Sequence, residues 1–131
     1  GARACMVVLR QQPDVVVAIA TGGWQHCAQF KLEAGGLDLA GCPIATSDDH
    51  FDRRVIVQTA IHRSLHMSGA SSLDSVTYIG DGLWDLHAAR ELGVRFVGMD
   101  LRQNGRLQQA GAELVLQDLH DPGRILKWLT E

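Results

Sequence analysis

Two aspartates stand four residues apart at the point where an apolar run gives way to an amphipathic one. They are Asp81 and Asp85, in the stretch "YIGDGLWD". In open parallel sheets, ligands bind outside the carboxyl ends of the strands, where both side chains would lie. Magnesium is usually held by one or two carboxylates together with phosphate and water, so we predict a magnesium site at these two residues. Taken alone, Asp81 would also fit an ordinary turn, and Asp85 a first-turn acid favoured by the helix dipole.

A second group of residues could bind phosphate. Thr21, Gly22 and Gly23 follow one apolar run and precede a predicted helix, so a hydroxyl and backbone N–H groups would face a phosphate oxygen. Arg53 and Arg54, at the start of the next predicted helix, could place a guanidinium against the same phosphate. Taken alone, Thr21 would also fit a helix N-cap, and the two arginines a solvated surface. The binding interpretation rests on all of these residues following predicted strands in one chain order.

The elements that must position these residues alternate between strand and helix. Apolar, β-branched runs predict strands in "DVVVAIATGG", "CPIATSDD", "SVTYIGDG", "VRFVGMD" and "AELVLQD". Amphipathic patterns predict helices in "GARACMVVLRQQ", "WQHCAQFKLEAGG", "FDRRVIVQTAIHRSLHMSG", "LWDLHAARELG" and "PGRILKWLTE". Strands that are continuously apolar are expected when both faces of a sheet are covered. The sequence therefore predicts an α/β fold with a mostly parallel sheet and helices on both faces.

Composition limits the classes of protein that fit. The 131 residues, with 46% hydrophobic content and no long linker or fixed-period repeat, predict a single domain over residues 1–131. The net charge of −3 and the scattered arginines argue against a nucleic-acid or anionic membrane partner. No apolar run reaches the roughly 18 residues of a membrane span, and the first residues lack the pattern of a secretory signal. We expect a soluble, cytoplasmic protein.

The cysteines and histidines offer weaker signals. Cys5, Cys27 and Cys42 are an odd number without a C-x-x-C spacing, and we interpret them as reduced core thiols rather than disulfide or metal residues. His62 and His66 lie four apart on a predicted helix, which would also suit zinc. No Glu follows His62 to complete H-E-x-x-H, so we favour solvated helix histidines.

The order of these motifs resembles that of the haloacid dehalogenase-like (HAD) superfamily, whose members are mostly phosphatases. "AIATGG" is similar to the family's second motif, which implies that Thr21 hydrogen-bonds the transferring phosphoryl group. "YIGDGLWD" is similar to the fourth, which implies that Asp81 is a magnesium ligand and Asp85 its supporting acid. The third motif, usually a Lys, falls in "SDDHFDRRVIV", with Arg53 as first choice and Arg54 as second.

The chain departs from the family pattern in one respect. The family's nucleophile and general acid lie in a D-x-D motif on the first strand, and no D-x-D stands at a strand end here. Asp14 lies at the wrong end of its strand, and Asp48 and Asp49 follow the strand that corresponds to the family's third. The resemblance runs from about Val15 to Gly98. It implies a three-layer, Rossmann-like HAD core with its first strand missing: a partial core domain of a larger protein that also has a cap, or a gene remnant.

The function that the resemblance implies is part of a magnesium-dependent phosphoric monoester hydrolase of the phosphoglycolate phosphatase-like type. Thr21 and Arg53 would be the catalytic residues of this part, because they would stabilise the phosphoryl oxygens. Mg²⁺ would be the cofactor and a small phosphorylated metabolite the substrate. Without the nucleophilic Asp, we expect the isolated chain to be inactive.

Three other functions fit the same residues. One is a non-catalytic α/β module that binds a partner or a small anion at the same rim; another is a dehalogenase-type hydrolase. A nucleotide-binding domain is the weakest, because no G-x-G-x-x-G follows the first strand. The substrate is not identified; Trp24, His26 and Trp84 could line its pocket, or could simply be packed.

The missing strand has a consequence for assembly. In the family's strand order it lies between the strand that ends at Thr21 and the strand that ends at Asp81. Its loss would leave two apolar strands with unpaired backbone groups, which folded proteins rarely tolerate. We therefore expect either direct pairing of these two strands or a homodimer formed by strand exchange or edge pairing.

Overall fold

The computed structural model describes residues 1–130, which form alternating helices and strands. The elements are α1 (Ala2–Arg10), β1 (Ile19–Ala20), α2 (Gln25–Ala34), β2 (Ile44–Ala45), α3 (Arg53–Ser68), β3 (Thr77–Gly80), α4 (Leu83–Leu92), β4 (Arg95–Met99), α5 (Arg106–Gln109), β5 (Leu114–Leu116) and α6 (Pro122–Thr130). The sequence pattern predicts all of them except the short helix α5. The strands are shorter than their apolar runs, because a ladder extends only where a neighbouring strand offers hydrogen bonds.

The strands form two parallel sheets in place of one. β1 pairs with β2, and β3, β4 and β5 pair in chain order. Within residues 1–130, no ladder joins β1 to β3. The predicted α/β fold with parallel strands is confirmed, and the predicted absence of a strand between β1 and β3 stays a prediction. The alternative of direct pairing between these two strands is wrong for the single chain, because each pairs on one side only.

Helices cover both faces of the sheets, as the continuously apolar strands require. Ile79 of β3 and Val17, just before β1, pack on the face of α1 and α6, against Cys5 and Leu9. The next residue along β3, Tyr78, packs on the opposite face with residues of α4. Ala18, just before β1, and Ala20 of β1 lie on that second face, where they pack against Ile56 and Ala60 of α3. Helices α3 and α4 therefore lie side by side on one face, and they contact each other.

Local signals set the ends of the two helices that carry predicted site residues. Asp52 caps α3 by accepting a 2.9 Å hydrogen bond from the backbone N–H of Arg54. The helix ends at Gly69, which adopts a left-handed conformation with φ of 68°. Helix α4 ends in the same way at Gly93. These caps fix where Arg53 stands at the start of its helix.

The cysteines and histidines are placed in part as predicted. Cys5 is buried and Cys42 partly buried, but Cys27 is exposed, so its assignment to the core is wrong. His62 and His66 are both exposed, in agreement with solvated helix histidines. Among the helices within residues 1–130, none is both long enough and apolar enough to span a membrane.

Candidate functional site

The residues predicted to bind phosphate and metal meet where β1 and β3 end and α3 and α4 begin. Gly22 and Thr21 follow β1, and Asp81 follows β3. Arg53 is the first residue of α3, and Asp85 lies in the first turn of α4. Arg53 approaches both halves of this rim, because it contacts Asp85 on one side and lies beside Gly22 on the other.

The glycine loop after β1 is held by its own hydroxyl and by the loop after β2. Thr21 Oγ1 accepts a 3.1 Å hydrogen bond from the Gly23 N–H. Ser47 Oγ donates to the Gly22 carbonyl at 2.6 Å, and the Ser47 N–H donates to the Gly23 carbonyl at 3.1 Å. The Thr21 hydroxyl proton remains available to donate to a ligand oxygen, because Oγ1 acts as the acceptor in the contact with Gly23.

The acidic pair after β2 has a structural role in this arrangement. Asp48 accepts a 2.7 Å hydrogen bond from the Gln25 N–H and so supplies an acceptor to the first turn of α2. The alternative interpretation of Thr21 as the N-cap of that helix is therefore wrong. Asp49 forms a two-point ion pair with Arg63, at 2.6 and 3.0 Å, and this hydrogen-bonded guanidinium lowers the pKa of Asp49.

The structure separates the two arginines that the sequence could not rank. Arg53 Nε lies 3.3 Å from Asp85 Oδ1, and a Cβ added at Gly22 would lie 2.8 Å from Arg53 Nη2. Its guanidinium thus stands beside the glycine loop. Arg54 turns to the flank of α4, where its Nε lies 3.8 Å from Glu91. Of the two, Arg53 is the residue brought to the candidate phosphate loop.

Asp85 is buried and its two oxygens already have partners. It is 4% exposed, and besides Arg53 it accepts a 2.6 Å hydrogen bond from the Tyr78 hydroxyl on Oδ1 and a 3.1 Å bond from the Gly82 N–H on Oδ2. Gly80 makes this approach possible, because a Cβ there would lie 2.6 Å from the Asp85 Cβ. Burial and the adjacent Asp85 carboxylate raise the pKa of Tyr78, so its phenol stays a neutral donor.

Asp81 is exposed and makes no hydrogen bond or ion pair with another side chain within residues 1–130. It borders a small cavity of about 70 Å³. Over the same residues, no group of three or more His, Cys, Asp or Glu side chains lies close enough together to hold a metal ion. Asp81, which has no side-chain partner, fits a carboxylate ligand for magnesium. Asp85 already contacts Arg53, Tyr78 and the Gly82 N–H, and its predicted part in metal binding stays a prediction.

Two contributing residues escape the sequence analysis. Tyr78 is a polar aromatic within an apolar strand, seven residues before Asp85, and its hydroxyl is a signal that could have prompted a search for a buried partner. Ser47 gives no signal beyond following a predicted strand. Both act on neighbours that lie far from them in sequence or on another element.

Aromatic side chains stand exposed around the same rim. Trp24, Phe51 and Trp84 are 64%, 90% and 59% exposed, and His26 is also exposed. The alternative that Trp24 and Trp84 are simply packed is therefore wrong. Trp84 borders the cavity next to Asp81, but whether these rings contact a substrate stays a prediction.

The fold has the Rossmann-like α/β arrangement of HAD-like proteins, with parallel strands between helices. A solved structure that it resembles is that of a hydrolase from Pseudomonas syringae, with a TM-score of 0.72 and 29% sequence identity. The match covers 98% of this chain and 61% of that chain, so this chain spans about three fifths of the hydrolase's length. No protein-family model and no curated protein matches the sequence.

Proposed function

We propose that this chain is part of a magnesium-dependent phosphoric monoester hydrolase of the HAD-like type. The observation that carries the proposal is the position of the Arg53 guanidinium beside the glycine loop after β1. A guanidinium next to a hydroxyl and backbone N–H groups is suited to phosphoryl oxygens. The similarity to a hydrolase from Pseudomonas syringae supports the reaction class.

Each residue of the proposed site has a role that follows from its chemistry. Thr21 would donate its hydroxyl to a phosphoryl oxygen, and Arg53 would offset the negative charge that the oxygens carry. Asp81 would hold a magnesium ion, which supplies further charge compensation when bound. The chain has no D-x-D at a strand end, so it offers no carboxylate to attack phosphorus. The isolated chain is therefore expected to bind phosphate without turning over a phosphoric monoester.

A binding experiment with matched arginine variants tests the proposal. Titration calorimetry with inorganic phosphate would be performed on the native chain and on Arg53→Ala and Arg54→Ala. We expect Arg53→Ala to weaken binding about tenfold or more, as loss of a charged hydrogen-bonding group does, and Arg54→Ala to change it less than about twofold. Equal losses in both variants would contradict the assignment, because these arginines differ mainly in the direction they face.

A turnover assay tests the part of the proposal that concerns the nucleophile. Hydrolysis of an activated aryl phosphate, measured with magnesium present, should not exceed the background rate. Robust activity that Asp81→Ala abolishes would show that the chain contains a nucleophile that the motifs do not reveal.

Magnesium is expected to bind weakly to this chain. One available carboxylate leaves the ion mostly hydrated, and affinity should rise when phosphate is added as a further ligand. Calorimetry with and without phosphate measures this difference. Tight, stoichiometric binding that is lost in Asp85→Asn would mean that Asp85 exchanges its protein partners for the ion.

Two other activities remain alternatives at the same rim. A non-catalytic anion-binding or partner-binding module is favoured by the absence of the D-x-D motif, and it predicts phosphate binding that magnesium does not strengthen. A dehalogenase-type hydrolase would require release of halide from a haloacid, which ion chromatography measures.

We propose a small phosphorylated metabolite as the ligand of the phosphate site. We also propose a cytoplasmic location, which cell fractionation checks.

The unpaired sides of β1 and β3 support a proposal about assembly. Unpaired strand edges favour association with another strand, so we propose a homodimer formed by strand exchange or edge pairing. Sedimentation over a range of concentrations should show twice the chain mass of 14.3 kDa. A monomer at every concentration would contradict this proposal and leave the phosphate site unaffected.

A further inference from the structure

The carboxylate of Asp85 contacts groups from two different strand–helix units, through hydrogen bonds within its own unit and an ion pair with the other. The Tyr78 hydroxyl comes from β3, and the Arg53 guanidinium from α3; both reach Oδ1, at 2.6 and 3.3 Å. The Gly82 N–H reaches the other oxygen at 3.1 Å. Since Asp85 is 4% exposed, water cannot easily replace these donors. The carboxylate is thus fixed in place by its own strand and turn, and it presents one side to Arg53.

The geometry of Arg53 shows what this carboxylate does. Its Nε side faces Asp85, and its Nη2 lies beside Gly22 in the glycine loop. Because the guanidinium is planar and rigid, a contact at Nε also fixes the direction of its terminal N–H groups. A fixed fork of donors favours the two-point recognition of phosphate. Arg53 is also about one quarter exposed at the side chain, so a ligand at the rim can reach it.

Tyr78 is the member of this group whose contribution is easiest to isolate. Its ring packs edge-on against Phe96 with centroids 6.0 Å apart, so the strand and its neighbour fix the position of the hydroxyl. Burial raises the pKa of the phenol, and the nearby carboxylate raises it further, so the hydroxyl keeps its proton over the working pH range. The donor is therefore rigid and permanently available to Asp85.

We propose that Tyr78 and Asp85 are positioning residues that hold the Arg53 guanidinium over the glycine loop. On this view the Oδ1 side of Asp85 orients an arginine. The inference rests on the proposed phosphate site for its functional meaning, but the orientation of Arg53 can be measured without any ligand.

The first measurement uses the native chain. Solvent exchange of the arginine Nε–H groups, followed by nuclear magnetic resonance, should be about tenfold slower for Arg53 than for Arg54. A buried carboxylate protects the first, whereas the second faces Glu91 at 3.8 Å on the surface. Equal exchange rates would overturn the inference.

The second measurement compares Tyr78→Phe with Thr77→Val. Thr77 is the matched control, because its buried hydroxyl has no hydrogen-bond partner in the part of the chain that is described. Tyr78→Phe should speed exchange at Arg53 Nε severalfold and weaken inorganic phosphate binding up to about tenfold, the effect of one hydrogen bond to a charged group. Thr77→Val should change neither.

A conservative replacement guards against a folding defect. Tyr78 is the one tyrosine of the chain, so growth with 3-fluorotyrosine labels that position alone and keeps the hydroxyl. The labelled protein should retain phosphate affinity within about twofold and slow exchange at Arg53.

The possible outcomes separate the two proposals. If the native chain does not bind phosphate but Arg53 Nε–H is protected and Tyr78→Phe releases it, the proposed function fails and the positioning role stands. If phosphate binds but Tyr78→Phe leaves both exchange and affinity unchanged, the positioning role is refuted and the phosphate site stands.

Discussion

Replacement of Asp85 by alanine should destabilise the protein even when no metal is present. If Asp85 mainly served a cation, its removal would relieve charge repulsion in the metal-free protein and would leave the fold as stable or more stable. The structure predicts the opposite, because Asp85 joins β3, the turn before α4 and the first residue of α3.

The size of the effect follows from the groups left without a partner. Loss of the carboxylate leaves the Tyr78 hydroxyl and the Gly82 N–H unsatisfied, at about 1 kcal/mol each. Loss of the ion pair with Arg53 adds about 1 kcal/mol, well below the 3–5 kcal/mol of a fully buried pair, because Arg53 is 26% exposed and water partly replaces Asp85. The sum is about 3 kcal/mol, or a fall in melting temperature of about 10 °C for a chain of this length.

Urea unfolding in a chelating buffer measures this difference. Asp81→Ala is the matched control, since Asp81 is an exposed carboxylate in the adjoining turn and its removal should change stability by less than about 0.5 kcal/mol. If both variants stay within about 0.5 kcal/mol of the native chain, the proposed network around Asp85 does not contribute to the fold.

Two further predictions concern ionisation and reactivity. Because burial and the Asp85 carboxylate raise the pKa of Tyr78 above its ordinary value of 10.0, the neutral phenol stabilises the fold below that pH and the contribution is lost as the pH rises above it. Tyrosinate absorbance should therefore appear together with alkaline unfolding; titration near 10.0 in the folded protein would contradict the contact. Among the thiols, burial raises the pKa of Cys5 and Cys42, whereas Cys27 is exposed, so a thiol reagent should label Cys27 first. Rapid labelling of all three cysteines would mean that the core opens readily.

The sequence by itself determined the order and type of the main elements. Apolar runs that end in Thr21 or Asp81 are strands because β-branched residues pack on both faces of a sheet, and the amphipathic segments after them become helices. The placement of Thr21, Gly22 and Asp81 at strand ends follows directly from this pattern. The sequence pattern did not predict α5, a four-residue helix too short to carry a clear periodicity.

The tertiary structure decided which neighbouring side chain enters the site. Arg53 and Arg54 are adjacent in sequence, but successive residues on a helix point about 100° apart, so only the packing of α3 against α4 sets which one faces Asp85. Asp85 likewise carries the same sequence signal whether it binds a metal or a guanidinium. Its partners come from β3 and α3, and their distances depend on how these elements pack, which no local pattern of residues encodes.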